Sequence, residues 1–215
     1  PQIMAADIED NQEKKEAVGD ASNSKAELNK SELAIKHPLE HSWGMWFFRM
    51  DDKKDWVDSQ VLISTFDTVE DFWALYNHIE VASKLPMACD YSLFKYPMKP
   101  MWEDSGNSRG GKWIITLNKM QRGSELDNFW LEVVLCLIGE VFDDASDDIC
   151  GAVVSVRAKG DRISVWTRDY MNEDSVKKIG LKLKERLGIN PDTTIGYVDH
   201  KASAAKGSYF NRYTV

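Results

Sequence analysis

CGAVVSVRAKGDRISVWTR, residues 150–168, holds two alternating apolar and polar runs around Gly160-Asp161. Glycine first in a two-residue turn suits a type II′ hairpin, whose twist matches that of the strands it joins. Such a turn predicts the register: Lys159 opposite Arg162, Arg157 opposite Ser164 and Ser155 opposite Trp166 on one face. Val154, Val156, Ala158, Ile163 and Val165 occupy the other face, which is core. On the polar face like charges would stand across a ladder, which costs stability unless an anion offsets it. Beside an indole, that cluster reads as a phosphate site; the alternative is that these cations only keep the surface soluble.

Outward from the hairpin, strands are predicted over 43–50, an aromatic-rich run too short for a helix core, over 61–66 and 194–200, and over 90–95 and 112–118, where alternation holds. Trp113, Ile115 and Leu117 share one face and are expected in the core. Helices are predicted from a capping box at Asp67 and Glu70 to about Ala82, over 124–142, and from Asn172 to Gly188. Phe72, Leu75, Tyr76 and Ile79 form the core stripe of the first helix, with Val69 and Trp73 beside it. That pair is either a docking surface or part of a wide buried face. Leu131, Leu135 and Gly139 make a similar second face on the middle helix. Residues 201–208 read as a flexible basic tail, and residues 1–34, poor in aliphatics and without aromatics, as a disordered arm ahead of one domain at 35–215.

The chain has 215 residues and a net charge of -8, so a broad nucleic-acid-coating surface is excluded and any anion site must be local. Its three cysteines are widely spaced with no CxxC pair, and no apolar run of about 18 residues or secretory leader is seen. A soluble protein of a reducing compartment is expected. The HxxEH string at 37–41 resembles a zinc motif, yet Pro38 before a strand denies the helix that would gather both histidines. Asp143 to Asp148 lacks the glycine and terminal glutamate of a calcium loop, and no GxxxxGK[ST] loop exists. No metal, cofactor or catalytic residue is expected.

Eight tryptophans exceed what a core of this size needs. Trp102 lies in PMWED, between two turn-rich segments, and Trp56 follows the charged run DDKKD. Each could cover the core. Together they could be the two plates of a base-binding platform, with Glu103 offering two acceptor oxygens to a guanine edge.

From His37 to the C-terminus the sequence resembles the eukaryotic translation initiation factor 4E family in HPL, WFF, FDTVEDFWALYNHI, CDYSLFK, PMWED, RGGKW, DNFWLE, LCLIGE, CGAVVSVRAKGD and KERLG. The resemblance implies an α+β fold: a curved antiparallel β-sheet backed by three helices on its convex face, with the 7-methylguanosine cap of mRNA held on the concave face. It implies that Trp56 and Trp102 sandwich the base, Glu103 reads its edge and Trp166 meets the methyl group. Arg157, Lys159, Arg162 and Lys112 would hold the phosphates; Lys112 stands where relatives commonly carry arginine, and Arg162 where lysine is common.

It implies further that His37, Pro38, Val69, Trp73, Leu131, Glu132, Leu135 and Gly139 bind a helix bearing a Y-x-x-x-x-L-hydrophobic motif, found in the scaffold factor 4G and in competing repressors. Ser208 falls in the tail where relatives are phosphorylated. The expected role is recruitment of mRNA to the translation initiation complex by a monomeric, non-enzymatic cytoplasmic protein, with the nucleus as a second location. A trimethylguanosine cap is a further candidate ligand. A repressor isoform and a cap or nucleotide hydrolase are the alternatives; the hydrolase would need a metal-binding carboxylate array near the hairpin.

Overall fold

The structure is a computed structural model and describes residues 35–50, 55, 57–206 and 210–215. Two compact units divide it, Pro1–His37 and Pro38–Val215. The first is described only at 35–37, which are exposed and without regular secondary structure, so the expected arm at 1–34 lies outside the described residues. The second unit carries everything that follows.

Its strands are β1 (Pro38–Arg49), β2 (Gln60–Thr68), β3 (Cys89–Lys95), β4 (Gly111–Leu117), β5 (Ile149–Ser155), β6 (Asp161–Thr167), β7 (Gly196–Asp199) and β8 (Tyr213–Thr214). They form one curved antiparallel sheet in the order β2-β1-β3-β5-β6-β4-β7-β8. The helices are α1 (Val69–Tyr76), α2 (Leu126–Ile138), α3 (Glu173–Arg186) and α4 (His200–Lys206). Trp113, Ile115 and Leu117 are buried as their alternation predicts, in one core with Phe72 of α1, Trp130, Val133 and Val134 of α2, and Val176, Ile179 and Leu183 of α3. The three longer helices therefore share the sheet's apolar face, and the opposite face is left for the cavity described below.

α3 seats closely. Trp113 donates its indole N–H to the Val176 carbonyl at 2.8 Å. A Cβ on Gly180 would come within 2.4 Å of the same ring. Gly180→Ala is therefore expected to lower stability by about 2 kcal/mol in urea unfolding, the overpacking outweighing the roughly 1 kcal/mol that alanine gains over glycine in a helix. A more stable variant would show that the ring has room to move.

Four expectations are corrected. The hairpin pairs Ser155 with Arg162, Val153 with Ser164 and Gly151 with Trp166, so the register differs by four residues and the turn spans 156–160. An even slip leaves the side chains of the paired strand residues on their expected faces while changing their partners; Ala158, expected in the core, is exposed on the turn, and the like-charge pair of Lys159 and Arg162 is absent. The reason is that Val156 bonds across to Cys89 instead, and Asp161 turns inward to accept the Arg157 N–H at 3.1 Å. Second, α1 is capped one residue later than expected: β2 runs through Thr68, whose hydroxyl oxygen accepts from the Asp71 N–H at 3.2 Å. Third, α1 stops at Tyr76 and α2 covers 126–138, both shorter than predicted. Fourth, the tail expected to be flexible forms α4, because Asp199 accepts the Ala202 N–H at 2.7 Å and caps an alanine-containing run of high helix propensity.

Candidate functional site

The polar residues of the alternating strands converge on one cavity of about 330 Å³. β3 contributes Asp90 and Ser92, β4 Lys112 and Ile114, β5 Val153 and Ser155, and β6 Arg162, Ser164 and Trp166; Gln60, Pro100, Trp102 and Arg157 complete the lining. Four cations or indoles predicted from the sequence, Lys112, Arg157, Arg162 and Trp166, thus meet on one face of the sheet, and Trp102 reaches them from a loop.

That loop is built from side-chain to backbone bonds. Asn107 is fully buried and its Nδ2 donates to the carbonyls of Lys99 at 2.9 Å and Met101 at 2.8 Å. The carboxylate of Asp104 accepts the N–H groups of Lys99 at 3.1 Å and Gly106 at 2.9 Å. Loop backbone satisfied in this way holds its shape without strand pairing. Trp102 projects from it and is 39% exposed, so it does not fold back into the core; Glu103 beside it is also exposed. Trp56, the other expected plate, lies outside the described residues, as does Ser208.

Trp166 is set deeper, only 8% exposed, and lines the cavity. Phe94 meets it edge-on at 5.3 Å, and the His200 ring packs against it at 4.1 Å. Burial, helped by the Lys112 charge, pushes the His200 imidazole down to about 3, so it is a neutral plate at physiological pH. Lys112 Nζ stands 5.4 Å from the Trp166 ring centre, and burial followed by the Arg162 charge lowers its own proton affinity. The indole N–H of Trp166 has no partner among the described residues.

Arg157 extends its guanidinium to Asp90 in a two-pronged pair, 2.5 and 3.1 Å, and also donates to the Cys89 carbonyl at 3.3 Å. The cationic wall thus contains its own carboxylate. Lys159 is exposed on the 156–160 turn and does not line the cavity. Sequence reasoning missed Asp90 and Ser92, although their alternation with buried Tyr91 and Leu93 puts both on the cavity face. It also missed Asn107, an asparagine in a generic loop setting, and His200, which arrives from a distant helix.

A second surface lies on the helices. Val69 and Trp73 of α1 are each 37% exposed, which decides between docking surface and buried face in favour of exposure. Pro38 pairs with Thr68, directly before α1. On α2, Leu131 and Leu135 are half-buried, and Gly139 ends the helix with its N–H on the Leu135 carbonyl at 2.9 Å. Glu132 is held by Arg186 of α3, at 2.8 Å to Nε and 2.7 Å to Nη2. The segment after α1 is tied to α2 by Ser83, whose N–H and hydroxyl both donate to the Asp127 carboxylate, at 2.8 and 2.6 Å. His37 belongs to the first unit.

Comparison with known proteins gives a consistent result. The family described as Eukaryotic initiation factor 4E matches residues 38–214. Eukaryotic translation initiation factor 4E of Bos taurus is 57% identical over 194 residues, covering 89% of this chain and 89% of that protein. Among solved structures, Ascaris suum eIF4E-3 in complex with an m2,2,7G cap is 45% identical, covers 84% of this chain and 99% of its own, and superposes with a TM-score of 0.80. The same Ascaris protein is also solved with an m7G cap. C. elegans eIF4E-3, in complex with the 4E-binding protein Mextli and a cap analog, is 44% identical, covers 84% of this chain and 100% of its own, and has a TM-score of 0.78.

Proposed function

This chain belongs to the eukaryotic initiation factor 4E family, and from that premise we propose that its cavity takes the 7-methylguanosine cap of mRNA. The observation that carries the reading is the half-exposed Trp102 at one end of a cavity whose other wall bears Lys112, Arg157 and Arg162. A flat base and an attached polyphosphate need those two features at adjoining ends of one cleft. Trp102 and Trp56 stack on the base, whose N7 methylation adds a positive charge and so a cation-π contribution. Glu103 accepts from N1–H and the 2-amino group, which only guanine offers as an adjacent donor pair. Trp166 supports the methyl side, and Arg157, Arg162 and Lys112 hold the phosphates, with Lys159 reaching them from the turn.

The helix-bearing side takes a partner helix with a Y-x-x-x-x-L-hydrophobic motif on Val69, Trp73, Leu131 and Leu135, with Pro38, Glu132 and Gly139 around them. A protein holding cap on one face and a scaffold on the other brings mRNA to the initiation complex in the cytoplasm. No helix among the described residues is long and apolar enough to cross a membrane. Because Val69 and Trp73 are open, the scaffold-binding reading is favoured over a repressor that binds cap alone. A hydrolase finds no support in a family of initiation factors.

The test is a tryptophan-quenching titration with 7-methyl-GTP, trimethyl-GTP and GTP. Stacking is common to both bases, so the difference is the cation-π part: about 0.5 to 2 kcal/mol at each of two plates predicts that 7-methyl-GTP binds on the order of a hundredfold more tightly than GTP. Equal affinities would sink the reading.

A further inference from the structure

Arg157 stands two residues beyond the last paired position of β5, Ser155, so pairing with β6 does not set where its guanidinium points. Asp90 holds the guanidinium, and one buried carboxylate fixes the backbone from which it springs. Asp161, fully buried at the start of β6, accepts the Arg157 backbone N–H at 3.1 Å. It also accepts Nε and Nη2 of Arg122, each at 2.7 Å. Arg122 comes from the 3-10 turn Gln121–Gly123 ahead of α2, and its Nη2 donates as well to the Arg157 carbonyl at 2.8 Å. Both backbone polar groups of Arg157 are therefore tied to a single Arg-Asp fork. Neither Arg122 nor Asp161 lines the cavity.

We infer that Arg122 and Asp161 are positioning residues for the ligand's phosphate chain, acting through Arg157 without touching the ligand. The inference rests on the cap-site reading, since it takes Arg157 to meet a phosphate. The fork suits this task because a planar guanidinium presents donors in fixed directions, two to the carboxylate and one more to the carbonyl. A lysine in its place retains charge and a single bond to Asp161 but cannot span both acceptors. With the fork gone, Asp161 is left buried with fewer donors, and the 156–160 turn loses the anchor that holds Arg157 against Asp90.

The experiment compares 7-methylguanosine with 7-methyl-GTP as quenching ligands for the full chain, in wild type, Arg122→Met and Arg122→Lys. Wild type gains affinity from the three phosphates. In Arg122→Met that gain falls by about tenfold, the value of one well-placed charge-assisted hydrogen bond, while 7-methylguanosine affinity stays within about twofold. Arg122→Lys falls between. A merely structural role would lower the folded fraction for both ligands alike and leave the ratio of their affinities untouched. An unchanged ratio in Arg122→Met overturns the inference; if that variant does not fold, an unchanged ratio in Arg122→Lys does so. A wild type that binds neither ligand overturns the cap-site reading instead.

Discussion

Replacing Trp102 with alanine is expected to abolish retention on a 7-methyl-GTP resin while leaving the far-UV spectrum and the unfolding midpoint unchanged. The indole stands on a loop whose shape is set by Asn107 and Asp104, not by packing of the ring. With 39% of its surface open, its removal leaves no sealed cavity. What is lost is one face of the base sandwich, roughly 1 to 3 kcal/mol of stacking together with the cation-π part, so about a hundredfold in affinity. Trp102→Phe retains a smaller π face and is expected to elute between the two. Wild-type retention by the alanine variant would remove Trp102 from the site, and unfolding would return it to the core.

Trp73→Ala is expected to lose binding of a Y-x-x-x-x-L-hydrophobic peptide, by about thirtyfold or more as for a hot-spot aromatic, and to keep cap affinity within twofold. Trp73 is seated on α1 against Phe72 at 4.9 Å and edge-on to Tyr76 at 6.1 Å, so its exposed edge is held ready without ordering cost. Isothermal titration of each ligand separately reads the two effects. Simultaneous loss of peptide and cap would mean that the two surfaces are not independent.

What was legible in the sequence follows the range of the physics. Period-2 alternation assigned the paired strand residues of the hairpin to their correct faces, because parity survives a slip of four residues, but not Ala158 and Lys159, which the longer turn exposes. The register itself was not legible. It depends on Asp161 turning inward to Arg122, 39 residues away, and no local turn signature reports such a partner. Trp102 stood out because a tryptophan among prolines, glycines and serines contradicts its usual setting. Asn107 did not, since asparagine in a loop is ordinary and only burial reveals that its amide ties two carbonyls. α4 was missed by reading small residues as flexible when the capping Asp199 makes them helical. That error hid His200 and the packing under Trp166.

The pairing of Arg157 with Asp90 has a consequence for ionic strength. In a chain of net charge -8, Arg157 of the cavity already has a resident counterion in Asp90. An arriving phosphate exchanges with or shares that carboxylate and releases no dissolved ion at this position, so affinity falls less steeply with salt than a tally of cavity cations would give. The same neutralisation leaves little for the bare backbone of uncapped RNA to gain at Arg157. Discrimination against other polyanions is thereby written into the cavity wall, before any base has been read.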